Sequence, residues 1–175
     1  FSKDQAHRFT RDWQKDLDRM GLPFAHMTDC ATGNGLYAGL SLKERIDSEK
    51  ALIAHTRHRS LFGIAVAVDF DRYKELFGAG RYDHDAYTLC LGLCVTGIGR
   101  WARETGFKGR VAFIFEAGHA AQAEADGVMR AMLSSQYGDL YSSHSFVQKQ
   151  DALPLQAAAM LAWQFAHYIK RRNEG

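Results

Sequence analysis

The stretch that most restricts the fold is Arg110-Val111-Ala112-Phe113-Ile114-Phe115-Glu116-Ala117-Gly118-His119. Its large or β-branched apolar positions, broken only by Ala112, stop at a carboxylate and then a glycine. A run this short and apolar, bracketed by Gly109 and Gly118, is expected to be a strand buried on both faces. Glu116 then stands at the carboxyl end of that strand, where open α/β sheets collect their ligands. Strand-end carboxylates are also common where a strand simply meets water, and the residue types alone leave both readings open.

The segments on either side alternate between helix and strand patterns. Phe9, Trp13, Leu17 and Met20 fall at helical spacing from about Asp4 to Met20, with Gly21 as the stop. Pro23-Phe24-Ala25-His26-Met27 reads as a short extended piece, followed by Thr28-Asp29. His26 and Asp29 form a polar pair there, which a turn and a satisfied core histidine would also explain. Thr32-Gly33-Asn34-Gly35 is a loop. Ser41-Leu42-Lys43-Glu44 is a capping box opening a helix that turns Leu42, Ile46, Leu52 and Ile53 inward. His55 and His58, near its end beside Arg57 and Arg59, could share a metal, but such residues also favour the negative end of the helix dipole.

Leu61 to Val68 is a second apolar run, expected as a strand ending in Asp69-Phe70-Asp71, with Asp71 able to cap a short helix over 72–77. Gly78-Ala79-Gly80 breaks the chain. Tyr82-Asp83-His84-Asp85 leads into a helix from about Ala86 to Arg103, apolar over much of its circumference and so expected to be covered on most sides. Gly92, Gly97 and Gly99 in that helix suggest close approach of another backbone. After the 111–116 strand come an alanine-rich helix over 120–133, turning Val128, Met129, Met132 and Leu133 inward, and a short strand at 145–147. The last segment, 153–169, is the strongest helix and ends in Lys170-Arg171-Arg172, suited to the helix dipole or to a phosphate backbone. The alternation predicts an α/β fold, and 175 residues are expected to form a single domain, 1–175, with room for a core.

Net charge is +2, which announces no strong polyelectrolyte partner, so a nucleic-acid role would need a local basic patch. No apolar run approaches a membrane span and no signal peptide is visible, so no membrane partner is expected. Cys30, Cys90 and Cys94 cannot all pair, and Cys90 and Cys94 lack Cys-x-x-Cys spacing. They suit small apolar fillers in a reducing compartment, and a cytoplasmic location is the expectation. The aromatic first helix could support a homodimer through Phe9 and Trp13, which equally suit internal packing. The chain opens at Phe1 rather than Met and reads as a fragment or a processed product.

Several pieces resemble a known set: Phe9-x-x-x-Trp13, Phe24-x-His26-Met27-x-Asp29, Phe115-Glu116-x-Gly118, and Pro154-Leu155-Gln156-Ala157-Ala158-x-Met160-Leu161-Ala162-Trp163. Together they resemble the domain-of-unknown-function 3800 family over nearly the whole chain, the last motif being the most specific. That family is similar to the ribonuclease-H-like superfamily, so the resemblance implies a mixed central sheet flanked by helices, with acidic residues around one or two divalent metals. The family's opening strand, carrying Asp-Glu-Ser-Gly, has no counterpart here, and the first strand is expected to be missing from this sequence. The family's last helix reads Leu-Gln-Ala-Ala-Asp, whereas the fifth position here is Ala159. The expected ligand was either lost natively or removed to make an inactive form.

The resemblance therefore implies a nuclease that holds Mg²⁺ or Mn²⁺ on hard oxygen ligands next to a scissile phosphate. Glu116 is the retained ligand and position 159 the lost one. Gln156 shares a helix face with position 159 and is expected at the substrate, as are Lys170, Arg171 and Arg172. His26 and Asp29 would flank the cleft as proton carriers or outer partners of the metal. Two rivals remain: a non-catalytic interaction module that kept the fold without its ligands, and a small-molecule phosphoesterase, which would need a closed pocket.

Overall fold

The computed structural model describes residues 1–77 and 83–174, with the backbone alone for 77, 83–85 and 174. Among them are seven α-helices and one small parallel sheet: α1 (Lys3–Met20), α2 (Met27–Thr32), α3 (Leu42–Arg59), α4 (Phe70–Phe77), α5 (Asp83–Thr105), β1 (Val111–Glu116), α6 (Gln122–Leu133), β2 (Tyr141–Val147) and α7 (Leu153–Glu174). The protein is thus mixed α/β. It divides into two compact units, one built from residues 1–63 and 148–175 and the other from 64–147.

The first unit is helical. Ser2 opens α1 with a capping box, its side chain accepting from the Gln5 N–H while the Gln5 amide accepts from the Ser2 N–H. Gly21 closes the helix at φ 66°, a left-handed turn that a side chain would oppose. Phe9, Trp13 and Leu17 line one stripe, fully buried, and pack with Leu22, Tyr37, Leu52, Leu153, Ala157 and Met160 in one buried cluster. Burial of side chains this large contributes roughly 1.5–3 kcal/mol each before entropy is counted. Phe9 and Trp13 therefore serve the interior and offer no dimer surface. Met27, expected to end a short extended piece, instead opens α2, which takes in Thr28 and Asp29.

The capping box of α3 forms as expected between Ser41 and Glu44. Its inner stripe differs from the expected one. Ser48 and Leu52, one turn apart, face the core, while Leu42 and Ile46 are exposed. The reason is the partner: α3 lies along α1 through polar side chains. His55 Nε2 meets Asp16 Oδ2 at 2.6 Å and Arg59 Nη2 donates to Asp12 Oδ2 at 2.7 Å. His55 is thereby spent on Asp16 rather than on a metal shared with His58.

The second unit holds the sheet. β1 and β2 run parallel and are joined through α6, a length of crossover that parallel pairing demands. Val95, Phe113, Met129 and Met132 form its buried centre. β1 is not buried on both faces: Phe113 and Phe115 turn toward the helices, whereas Ala112, Ile114 and Glu116 are exposed, Ile114 at 46%. The apolar run at 61–68 forms no strand, because a strand needs a ladder partner and β1 is paired only with β2 among the described residues. Asp69, rather than Asp71, caps α4 by accepting from the Arg72 N–H at 3.1 Å.

α5 is buried or half-buried along much of its length, and Leu89 and Leu93 mark its exposed side. Its glycines meet side chains instead of backbone: a Cβ on Gly97 would strike Ile64, one on Gly99 the Tyr137 ring, and one on Gly92 nothing. In α6, Leu133 is exposed and Ala125 takes an inner place with Met129 and Met132. The break at 78–80 and Tyr82 lie outside the described residues.

Candidate functional site

Glu116 is the last residue of β1, and Ala117 N–H continues the ladder by donating to the Val147 carbonyl at 2.8 Å. The chain then leaves the sheet through Gly118 (φ 84°), whose N–H donates to Gln122 Oε1 at 3.2 Å. This places the Glu116 carboxylate at the carboxyl end of a parallel strand, on the exposed face that it shares with Ala112 and Ile114.

His26 precedes α2 and Asp29 lies in its first turn, so their side chains meet, Nδ1 to Oδ1, at 3.1 Å. The other Asp29 oxygen accepts from the Leu36 N–H at 3.4 Å. The pair is partly exposed, His26 more than Asp29. Beneath it lie Cys30 and Tyr37, both buried. Burial pushes the Cys30 thiol up to about 11 and the Tyr37 phenol up to about 12. Both stay protonated at neutral pH, and neither can serve as a base there.

Gln156 stands elsewhere than expected. It is 1% exposed, and its Oε1 accepts from the Trp13 indole N–H and from the Ala25 backbone N–H, both at 2.9 Å. Its Nε2 donates to the Lys149 carbonyl at 3.1 Å. A side chain so enclosed and so occupied holds the core of the first unit together and is out of reach of a substrate. It also fixes the residue just before His26. Ala159 sits on the flank of α7, half-buried, and its methyl group can ligate nothing. Lys170, Arg171 and Arg172 are exposed in the last turns of α7, where they complement its dipole.

The expected site residues thus fall into both units: His26, Asp29, Gln156, Ala159 and the basic C-terminal run in the first, Glu116 in the second. Among the described residues no group of three or more His, Cys, Asp or Glu side chains could hold a metal ion. Mg²⁺ and Mn²⁺ prefer several oxygen ligands, so the donor set present does not fit such a cation. An open groove of about 480 Å³, lined by Arg103, Phe107, Lys108 and Tyr137 among others, involves only residues that precede the two strands and so belongs to the opposite end of the sheet from Glu116.

One polar constellation has no counterpart in the sequence reading. Tyr141 Oη and His144 Nδ1 lie 2.7 Å apart, His144 Nε2 lies 2.9 Å from Asp126 Oδ1, and Arg130 Nε holds the other Asp126 oxygen at 2.7 Å. In a regular strand, residues three apart face opposite sides. Here the register passes from Val111↔Tyr141 to Ala112↔Ser143, so Ser142 is an extra residue and the bulge brings Tyr141 and His144 to one face. No sequence pattern signals such a bulge.

Comparison of the chain with protein-family models, with curated proteins and with solved structures found no match. Among the described residues, no helix is long and apolar enough to cross a membrane.

Proposed function

We propose that the chain is a ribonuclease-H-like, divalent-metal-dependent nuclease domain, inactive or weakened as it stands because Ala159 occupies a ligand position. The supporting observation is the exposed Glu116 carboxylate at the carboxyl end of a parallel strand in a β1–α6–β2 unit, the position at which α/β sheets gather ligands. The resemblance of the last-helix motif supplies the second position, 159. In that reading Glu116 offers an oxygen ligand at the strand end.

The test is calorimetric titration of Mn²⁺ into the full-length protein and its Ala159→Asp variant, followed by a cleavage panel of single-stranded, duplex and hybrid DNA and RNA. The expected result is cation binding and cleavage on restoring the carboxylate, both lost when Glu116→Gln is added. Ala159→Asp protein that neither binds Mn²⁺ nor cuts any substrate overturns the reading.

A second reading, a non-catalytic interaction module, is favoured by the lack of a three-ligand cluster among the described residues. It expects nucleic-acid binding without cleavage, weakened by salt and by replacing Lys170, Arg171 and Arg172 with alanine.

A further inference from the structure

We propose that Tyr141 is a base-assisted nucleophile, its phenol activated by His144 and Asp126, for phosphoryl centres that carry a good leaving group. This inference needs no metal and does not rest on the nuclease reading. The order of groups carries it. A carboxylate, an imidazole and a hydroxyl stand in line at 2.9 Å and 2.7 Å, each held by a different constraint. Asp126 is fixed on α6, where Arg130 holds its second oxygen. His144 is half-buried and packed edge-on against Phe146 at 5.9 Å, so its ring orientation is set. Tyr141 stacks on Phe113 at 6.4 Å.

Asp126 is ionised, its carboxyl held below the usual range chiefly by the hydrogen bond from His144. An ionised carboxylate at Nε2 keeps the imidazole proton on that nitrogen. The Nδ1 lone pair is then the acceptor, and the phenolic O–H must be the donor to it. That is the arrangement by which a hydroxyl is prepared for attack.

In the step itself the Tyr141 oxygen forms a bond to phosphorus and the bond from phosphorus to the leaving group breaks. The leaving group departs with the electron pair. The phenolic proton passes to His144 Nδ1, and the Asp126 carboxylate stabilises the resulting imidazolium. A phosphoryl centre suits a phenol better than an acyl centre does, since an aryl phosphate is a durable product and an aryl ester is readily hydrolysed. A purely structural role, tying β2 to α6, would use the same hydrogen bonds but would leave the phenol no more reactive than any other.

The full chain is incubated with diisopropyl fluorophosphate, and labelling at each tyrosine is followed by peptide mass spectrometry. Attack releases fluoride and leaves a phosphorylated Tyr141. Tyr168, 57% exposed, is the internal reference for unassisted reactivity. General-base assistance is commonly worth about 10²-fold or more, so Tyr141 is expected to label at least about tenfold faster than Tyr168 despite its lower exposure. The rate should fall about tenfold or more in both His144→Phe and Asp126→Asn. Asp126→Asn lies on a partly exposed helix face, and circular dichroism of both variants shows whether either has lost its fold. Tyr141 labelling no faster than Tyr168, or unchanged in a folded Asp126→Asn variant, overturns the proposal.

Discussion

The Trp13 indole N–H donates to Gln156 Oε1 at 2.9 Å, joining residues 143 apart in sequence. The same oxygen takes the Ala25 N–H. Gln156→Leu would leave two buried donors unpaired, at about 1–3 kcal/mol each before relaxation. The expected loss is about 2–4 kcal/mol in urea unfolding. Combining it with Trp13→Phe should cost about 1 kcal/mol less than the sum of the single changes, because both remove one shared hydrogen bond. Additive losses would show that the oxygen and the indole are energetically independent.

Acid should loosen the first unit through Asp12. The Arg11 guanidinium beside it, and then Arg59 from α3, hold its carboxyl below the ordinary range. A carboxylate depressed in the folded state adds stability at pH values above its unfolded value, about 3.9, and loses it as pH falls through the folded one. The melting temperature should therefore drop below about pH 4, and Asp12→Asn should flatten part of that slope. An identical acid slope in the variant would count against the assignment.

Two glycines of α5 should respond to alanine with opposite signs. At Gly92 nothing lies within 4 Å of the added methyl group, and the helix should gain about 0.5–1 kcal/mol. At Gly99 the methyl would enter the Tyr137 ring, and overpacking should cost about 1–3 kcal/mol. Thermal denaturation of the two variants reads the difference directly.

Cys30 should resist alkylation in the folded protein. With its thiol near 11, pushed up mainly by burial, on the order of one molecule in a thousand carries a thiolate at pH 8. Iodoacetamide followed by intact-mass analysis should modify it only in denaturant. Modification of Cys30 in the native state as rapid as that of a free thiol would place it at the surface.

What could be read in advance followed from local rules. The spacing of Phe9, Trp13 and Leu17 marks a buried helix stripe, and Ser41 with Glu44 marks a helix start, because both depend on residues within one or two turns. β1 was legible as a strand, but its two-sided burial was not, since Ile114 needs a neighbour that its own stretch cannot supply. The 61–68 run failed for the same reason: apolar composition permits a strand, and only a second strand can make one. Tyr141 and His144 share a face through one extra residue in the ladder. The inward turn of Gln156 depends on an indole at the far end of the chain. For Glu116 the sequence named the strand end and the structure placed the side chain there, exposed; position 159 is known only by resemblance.

The first unit is assembled from two separated pieces of chain, with 64–147 inserted between them. During synthesis the inserted piece is complete before α7 has left the ribosome, so it can fold first. The stripe of Phe9, Trp13 and Leu17 has to wait, only partly covered and open to chaperones, until α7 has emerged to supply Leu153, Ala157 and Met160.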